Sequence, residues 1–413
     1  MKSPFRLPAI AGLSLLALST SLPAAVWVGG NNDNDWNTGA NWDPVGVPNG
    51  VIADIASGTA VLSTPALSTI DRLRIASGSG STGTVTISST LTSTSTTFTD
   101  IARSGTGALY INTGANFQMN GGVGSSYRFG AVTGGHGTGV QTGGSVSTTG
   151  GFFVGVNGTG VYTISGGAIT AAQNFSIANG AGSSGTYTQS SGTVTIGSSG
   201  AGGAMFVGQN GTGALNLSGG RLVGGTLTVG SGGTGLGTVN QTGGTVDLVN
   251  GPNAGATGQL AVTQGSYTVS GGQVLAKGMT ISDDLVVVGN DATLTVQDAF
   301  SLTATGNITF TFNDEGITAL MIGGVASFEA ASIINIDGSA YAGTNGTFNL
   351  IDAASFNANT PTVNLSGFAP GSSYNWDAAN GVLSVTVVPE PSTVALAMGG
   401  GALLILAWRR RRA

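Results

Sequence analysis

Cysteine is absent from the 413 residues, histidine occurs once, and charged side chains make up only 7% of the chain. Without cysteine there are no disulfides and no thiolate metal sites. The single histidine, His136, sits in a Gly134-Gly135-His136-Gly137 turn. No Gly-x-Ser-x-Gly elbow accompanies it, which argues against a Ser-His-Asp triad or a histidine-rich metal centre. Basic residues are scarcest of all. Between the two termini six of them face 17 acidic residues, a net charge of −11. Nucleic-acid binding, which needs clustered Lys and Arg, is therefore not expected.

What is abundant is glycine, 73 residues, set among Thr and Ser. The three-residue period of collagen is missing, and regular alternation of aliphatic and polar residues argues against disorder. A Gly-Gly doublet or a close variant recurs, with its second residue at Gly144, Gly167, Gly192, Gly220, Gly244 and Gly272, and a weaker copy at Gly114. Two residues further on stand Val146, Ile169, Val194, Leu222, Val246 and Val274. Five residues before it stand Tyr162, Tyr187, Leu215, Val239 and Tyr267, and three before it Gln141, Gln189 and Gln241 alternate with aliphatics. Alternation on both sides predicts two strands, and the change of parity across the doublet requires a bend that glycine permits. A further strand pattern runs from Tyr127-x-Phe129-Gly130 through Phe152-x-Val154-Gly155, Phe175-x-Ile177-Ala178, Met205-x-Val207-Gly208 and Leu227-x-Val229-Gly230 to Val286-x-Val288-Gly289.

Self-similarity at about 25 residues predicts an all-β fold, a parallel β-solenoid (β-helix) over residues 51–290. Eight coils stacked about 4.8 Å apart would span roughly 40 Å. The three Gln could form an interior amide ladder. Residues 26–50, with Trp27, Trp36 and Trp42, are expected to cap one end. Residues 291–388, which lose the doublet, are expected to form a β-rich C-terminal cap or small β-domain.

The two ends read differently. Residues 1–25 have Lys2 and Arg6 before an apolar run, Ile10 to Leu18, and small residues after it, the pattern of a signal peptide cleaved after Ala24 or Ala25. Residues 389–413 place Pro389, Glu390 and Pro391 before an apolar run from Val394 to Trp408, followed by Arg409, Arg410, Arg411 and Arg412. That order predicts one hydrophobic C-terminal helix with the arginines held in the cytoplasm. The tail resembles the PEP-CTERM sorting signals of Gram-negative bacteria, many of which make exopolysaccharide. The resemblance implies processing near Pro389–Pro391 by a membrane exosortase, inner-membrane anchoring before it, and a surface or extracellular destination after it. The Trp-rich opening and the Gly-Gly coils are similar to autotransporter-like β-strand repeat proteins, although the membrane β-barrel of a true autotransporter is not foreseen.

Chemistry is sparse. Asp283-Asp284 and Asp314-Glu315 are adjacent acids, and on a strand adjacent side chains point to opposite faces. Asp33, Asp35 and Asn37 begin an EF-hand-like loop, which Thr38 and Pro44 then break. No catalytic residue, cofactor or metal site is expected. The expected role is an exported structural or adhesive protein, with surface polymers such as exopolysaccharide as partners; the alternative is a β-helix polysaccharide lyase or hydrolase. A cross-coil cluster of at least two acids and a base in one groove would favour the enzyme, and a Thr/Asn/Ser-lined groove would favour binding or a structural role.

Overall fold

The computed structural model describes residues 23–388 apart from 200–202, 232, 253–257, 344–345 and 358. Strands dominate, and nearly all pair in parallel with the strand one coil away. About 13 coils of about 25 residues stack in this way. At 4.8 Å per coil the rod is about 60 Å long, rather than the roughly 40 Å of eight coils.

Each central coil contributes three strands. One coil uses Thr159–Ile164 on the first face, Ala168–Ala171 on the second and Phe175–Ile177 on the third. The Gly-Gly doublet turns the chain from the first face to the second. All six anchor glycines have positive φ, between 64° at Gly144 and 85° at Gly167, which L side chains avoid. The corner after the third strand also needs positive φ, at Gly130, Gly155, Gly208 and Gly230, and at Ala178 it is met without glycine.

Because neighbouring coils are in register, equivalent side chains stack. Val146, Ile169, Val194, Leu222, Val246 and Val274 form one continuous interior ladder on the second face. On the third face Tyr127, Phe152, Phe175, Met205 and Leu227 do the same. The Phe152 and Phe175 rings stack with centroids 4.8 Å apart, one coil spacing. Gly139 stands beneath Tyr162, where an added Cβ would lie 2.2 Å from the ring, so its lack of a side chain makes room for the aromatic.

The three Gln point inward, fully buried, but they form no ladder with each other. They lie two coils apart, too far for amide-to-amide contact. Each instead ties its own corner to the next coil. Gln141 Nε2 donates to Ala168 O at 3.1 Å, Gln189 Nε2 to Arg221 O at 3.3 Å and Gln241 Nε2 to Gln273 O at 3.1 Å. The Tyr162 hydroxyl donates to Gln141 Oε1 at 2.8 Å, and that of Tyr267 to Gln241 Oε1 at 2.5 Å. The coil above Gln189 offers Leu215 in that place, and the coil below Tyr187 offers Ile164. Gln189 Oε1 and the Tyr187 hydroxyl are accordingly buried without partners.

Two further sequence expectations change. Val286 and Val288 do not belong to the third face: their strand, Asp284–Val288, pairs beside Tyr267 and Val269 on the first, with Leu285 and Val287 inward. An unbroken Leu-Val-Val-Val run carries no parity information. The third-face segment of the preceding coil, the one turned by Gly272, is Gly278 to Ile281, in register with Gln259–Val262. Parallel stacking also continues past residue 290, through Ala292–Leu302, Leu320–Phe328 and Ile333–Asp337 to Thr362–Ser366. Only at Gly346–Phe356, Ser373–Asp377 and Val382–Val387 does antiparallel pairing close the end, so most of 291–388 is solenoid rather than a separate cap.

Aromatics plug both ends. Trp27 and Trp36 pack edge-on against Trp42 at 5.0 and 4.8 Å. At the other end Trp376 stacks on Phe356 at 4.3 Å and meets Phe328 at 5.1 Å. Open coil ends would expose apolar core and unpaired strands, and these rings cover it.

Candidate functional site: the sorting tail and a charged row on the third face

The last strand, Val382–Val387, is sealed at its end by Ser372. The Val388 amide donates to Ser372 Oγ at 2.7 Å, and Ser372 Oγ donates to Val388 O at 3.3 Å. The sequence then reads Pro389-Glu390-Pro391 with no intervening linker. Residues 387–412 match the PEP-CTERM protein-sorting motif. The sorting motif implies an exported protein that is processed by exosortase and passes through the membrane. No curated protein and no solved structure matches the chain. Pro389, Glu390, Pro391 and Arg409–Arg412 lie outside the described residues, as do the apolar run between them and the first 22 residues of the signal sequence. Among the described residues no helix is long and apolar enough to cross a membrane.

The structure adds a feature that sequence reasoning missed. Stacking on the third face puts Asp54, Arg74, Asp100 and Arg128 into one outward row, one residue per coil. Arg72 and Arg103 flank it, so four of the six basic side chains between the termini gather on neighbouring coils. The row is only partly neutralised. Arg128 closes on Asp100, with Nη2 at 2.6 Å and Nε at 2.7 Å from Oδ1, and lies 3.7 Å from the Phe98 ring centre. Asp100 is thereby buried, 2% exposed. Arg74 stands in register between Asp54 and Asp100 but takes part in none of the ion pairs among the described residues. Arg74 Nε, Arg72 Nε and Asp54 Oδ1 are shielded from solvent with no hydrogen-bond partner.

The electrostatics follow. Burial pushes the Asp54 carboxyl up, against the pull of Ser77, Arg74 and Arg103. Burial likewise lowers the Arg74 guanidinium, and repulsion from Arg72 and Arg103 adds to it against Asp54 and Asp100. The patch therefore holds an excess of positive charge on an otherwise acidic rod.

The other candidates are solvated or structural. His136 is exposed, at the start of strand His136–Gln141. Asp33 is the acceptor hub of the N-terminal loop: it takes bonds from Asn41 Nδ2, the Asp35 amide, Asn31 Nδ2 and Thr38 Oγ1. Led by the Asn41 contact, these hold its carboxyl well below the usual range. No group of three or more His, Asp or Glu able to hold a metal occurs among the described residues. Asp283 accepts from the Gly265 amide at 2.6 Å and Asp284 from Asn307 Nδ2 at 3.0 Å. Asp314 and Glu315 are both exposed. On the first face, Thr59, Thr82, Thr84, Thr106 and Thr138 line a shallow depression of about 320 Å³.

Proposed function

We propose that the protein is a non-catalytic structural or adhesive component of the cell surface or extracellular matrix, a stiff β-solenoid rod delivered by its sorting tail. One observation carries the reading: the sorting motif begins at the last strand of a rod whose two ends are plugged. Processing there leaves a finished rod with long Thr/Ser-rich faces. Before processing, the tail would hold the rod at the outer side of the inner membrane, with Arg409–Arg412 in the cytoplasm. Partners beyond exosortase are surface polymers, exopolysaccharide first among them. Protease added to spheroplasts should digest the rod and leave a short membrane stub; a protected rod would overturn this orientation.

The row of Asp54, Arg74, Asp100 and Arg128 favours a second reading, a polysaccharide lyase or hydrolase, because it unites two acids and bases across coils. Against it, the Asp100 carboxylate is already engaged by Arg128, which leaves one free acid rather than the pair hydrolysis requires. Incubation with a polysaccharide panel separates the two: release of new chain ends would make the protein an enzyme, and none is expected.

A further inference from the structure

We propose that Arg72, Arg74 and Arg103 form a binding site for a carboxylate-bearing polysaccharide, which runs along the third face over Phe153. This deepens the surface-scaffold reading by giving the rod a ligand class.

The first ground is the unmet hydrogen-bonding capacity. The Nε atoms of Arg72 and Arg74 are closed off from solvent and make no hydrogen bond, and the one ion pair of either arginine among the described residues is the loose contact of Arg72 with Asp71 at 4.0 Å. The outer Nη atoms of Arg74, which are not among the buried atoms and have no acceptor among the described residues, are left to meet an external one, and a carboxylate serves there better than water, because both partners are then charged. Asp54 does not serve: its own Oδ1 is unpartnered although it neighbours Arg74 in register. The pieces of an ion pair are thus present and left apart, with Arg72 and Arg103 concentrating positive charge beside the gap.

The second ground is geometry. Arg72 and Arg74 are two residues apart on one side of a strand, about 7 Å, and Arg74 and Arg128 are two coils apart, about 10 Å. Phe153 follows Arg128 in the same outward row, half-buried, with Ser176 and then Phe206 beyond it. Cations give way to a ring that can pack against a sugar face, in line along the rod axis. A linear polymer fits a row; a compact protein epitope does not.

The third ground is what surrounds the patch. The body carries −11 overall, so a nucleic acid, with a phosphate every 3.4 Å of strand, would meet repulsion outside the patch. A polysaccharide with at most one carboxylate per sugar places fewer charges along the same length. Export puts the rod where such polymers are, which is the one point that rests on the preceding reading.

Full-length protein in mild detergent is titrated with polygalacturonate oligomers, with their fully methyl-esterified form, and with single-stranded DNA. The acidic oligomer should bind at least tenfold more tightly than the ester and than DNA, and its affinity should fall roughly tenfold between 50 and 200 mM salt. Arg103→Gln, on a corner outside the strand ladder, should weaken binding about tenfold, and Arg72→Gln/Arg74→Gln at least as much. Arg221→Gln, whose arginine pairs with Asp247 on another face, should leave binding unchanged. Thermal melting checks that each variant is folded, and Arg103→Gln stands alone if the double variant is not. Equal binding of acid and ester, preference for DNA, or full binding by folded Arg103→Gln would overturn the proposal. The scaffold reading fails separately, if the rod stays inside the cell or releases chain ends.

Discussion

Val194 provides a direct test of the interior register. It is fully buried between Ile169 and Leu222 on the second face, whereas Thr195 points outward between Thr170 and Val223. Val194→Asp removes an apolar side chain worth about 1.5–3 kcal/mol when buried. It also places a carboxyl among aliphatic neighbours. Such a group takes up a proton rather than stay charged, and holding it neutral at pH 7 against a solution pKa of about 3.9 costs about 4 kcal/mol at 1.36 kcal/mol per unit. The total is roughly 5–7 kcal/mol. Because the folded-state pKa is raised, this extra cost is absent below about pH 3.9 and grows as pH rises toward the folded value. Thr195→Asp should cost about 0.5 kcal/mol or less. Coils contact mainly their neighbours, so the damage should be local. Hydrogen exchange at pH 7 should show Val194→Asp losing protection first over roughly residues 160–230 while the ends persist, with partial recovery at pH 4. Equal tolerance of the two substitutions, or greater damage from Thr195→Asp, would refute the register.

The buried tyrosines give a matched pair. Tyr162→Phe strips Gln141 Oε1 of its donor and should cost about 1–3 kcal/mol, whereas Tyr187→Phe removes a hydroxyl with no partner and should be neutral or stabilising in chemical denaturation; the reverse order would show the Gln–Tyr bonds to be energetically idle. Replacing Pro389, Glu390 and Pro391 by Ala should leave an unprocessed form in the inner membrane on fractionation, and normal processing would reduce the tail to a plain anchor. At Asp247 burial opposes ionisation, but Asn250, Arg221 and the Val249 amide outweigh it and lower the carboxyl. The stability advantage of wild type over Asp247→Asn should therefore be full at neutral pH and shrink as pH falls through and below about 3.9; a gap that widened in acid would contradict this.

The central coils were legible because glycine and parity speak together there. The doublet marks the corner, and the aliphatic two residues later marks the inward direction, so Val146 through Val274 could be aligned without coordinates. Beyond residue 290 the corners change chemistry. In Ala292–Leu302 the residue in register with the doublet glycine Gly272 is Ala292, which lacks the positive φ that would have demanded glycine. The period survives in space but loses its marker, so the later coils read as a separate domain. The tail was legible for the opposite reason: its elements are contiguous in sequence. The arginine row was not, because its members are about one coil apart and charged positions carry no packing constraint. The repeat held a usable signal, since Asp54, Arg74, Asp100 and Arg128 recur at intervals of 20, 26 and 28 residues, but only aliphatic and Gln/Tyr positions were aligned.

The bonds from Gln141 to Ala168 and Tyr162 give the rod the character of a ruler. They join one coil to its successor and to nothing further away, so rod length is counted in coils and the plugged ends fix where counting stops. A deletion of residues 144–166 removes one whole unit and places Gly167 directly after Gly143. Gln141 then lies beneath Tyr187, whose hydroxyl gains the acceptor it lacks in the full-length chain. Such a protein should be about 4.8 Å shorter, with both ends unchanged and one fewer unsatisfied donor in its interior.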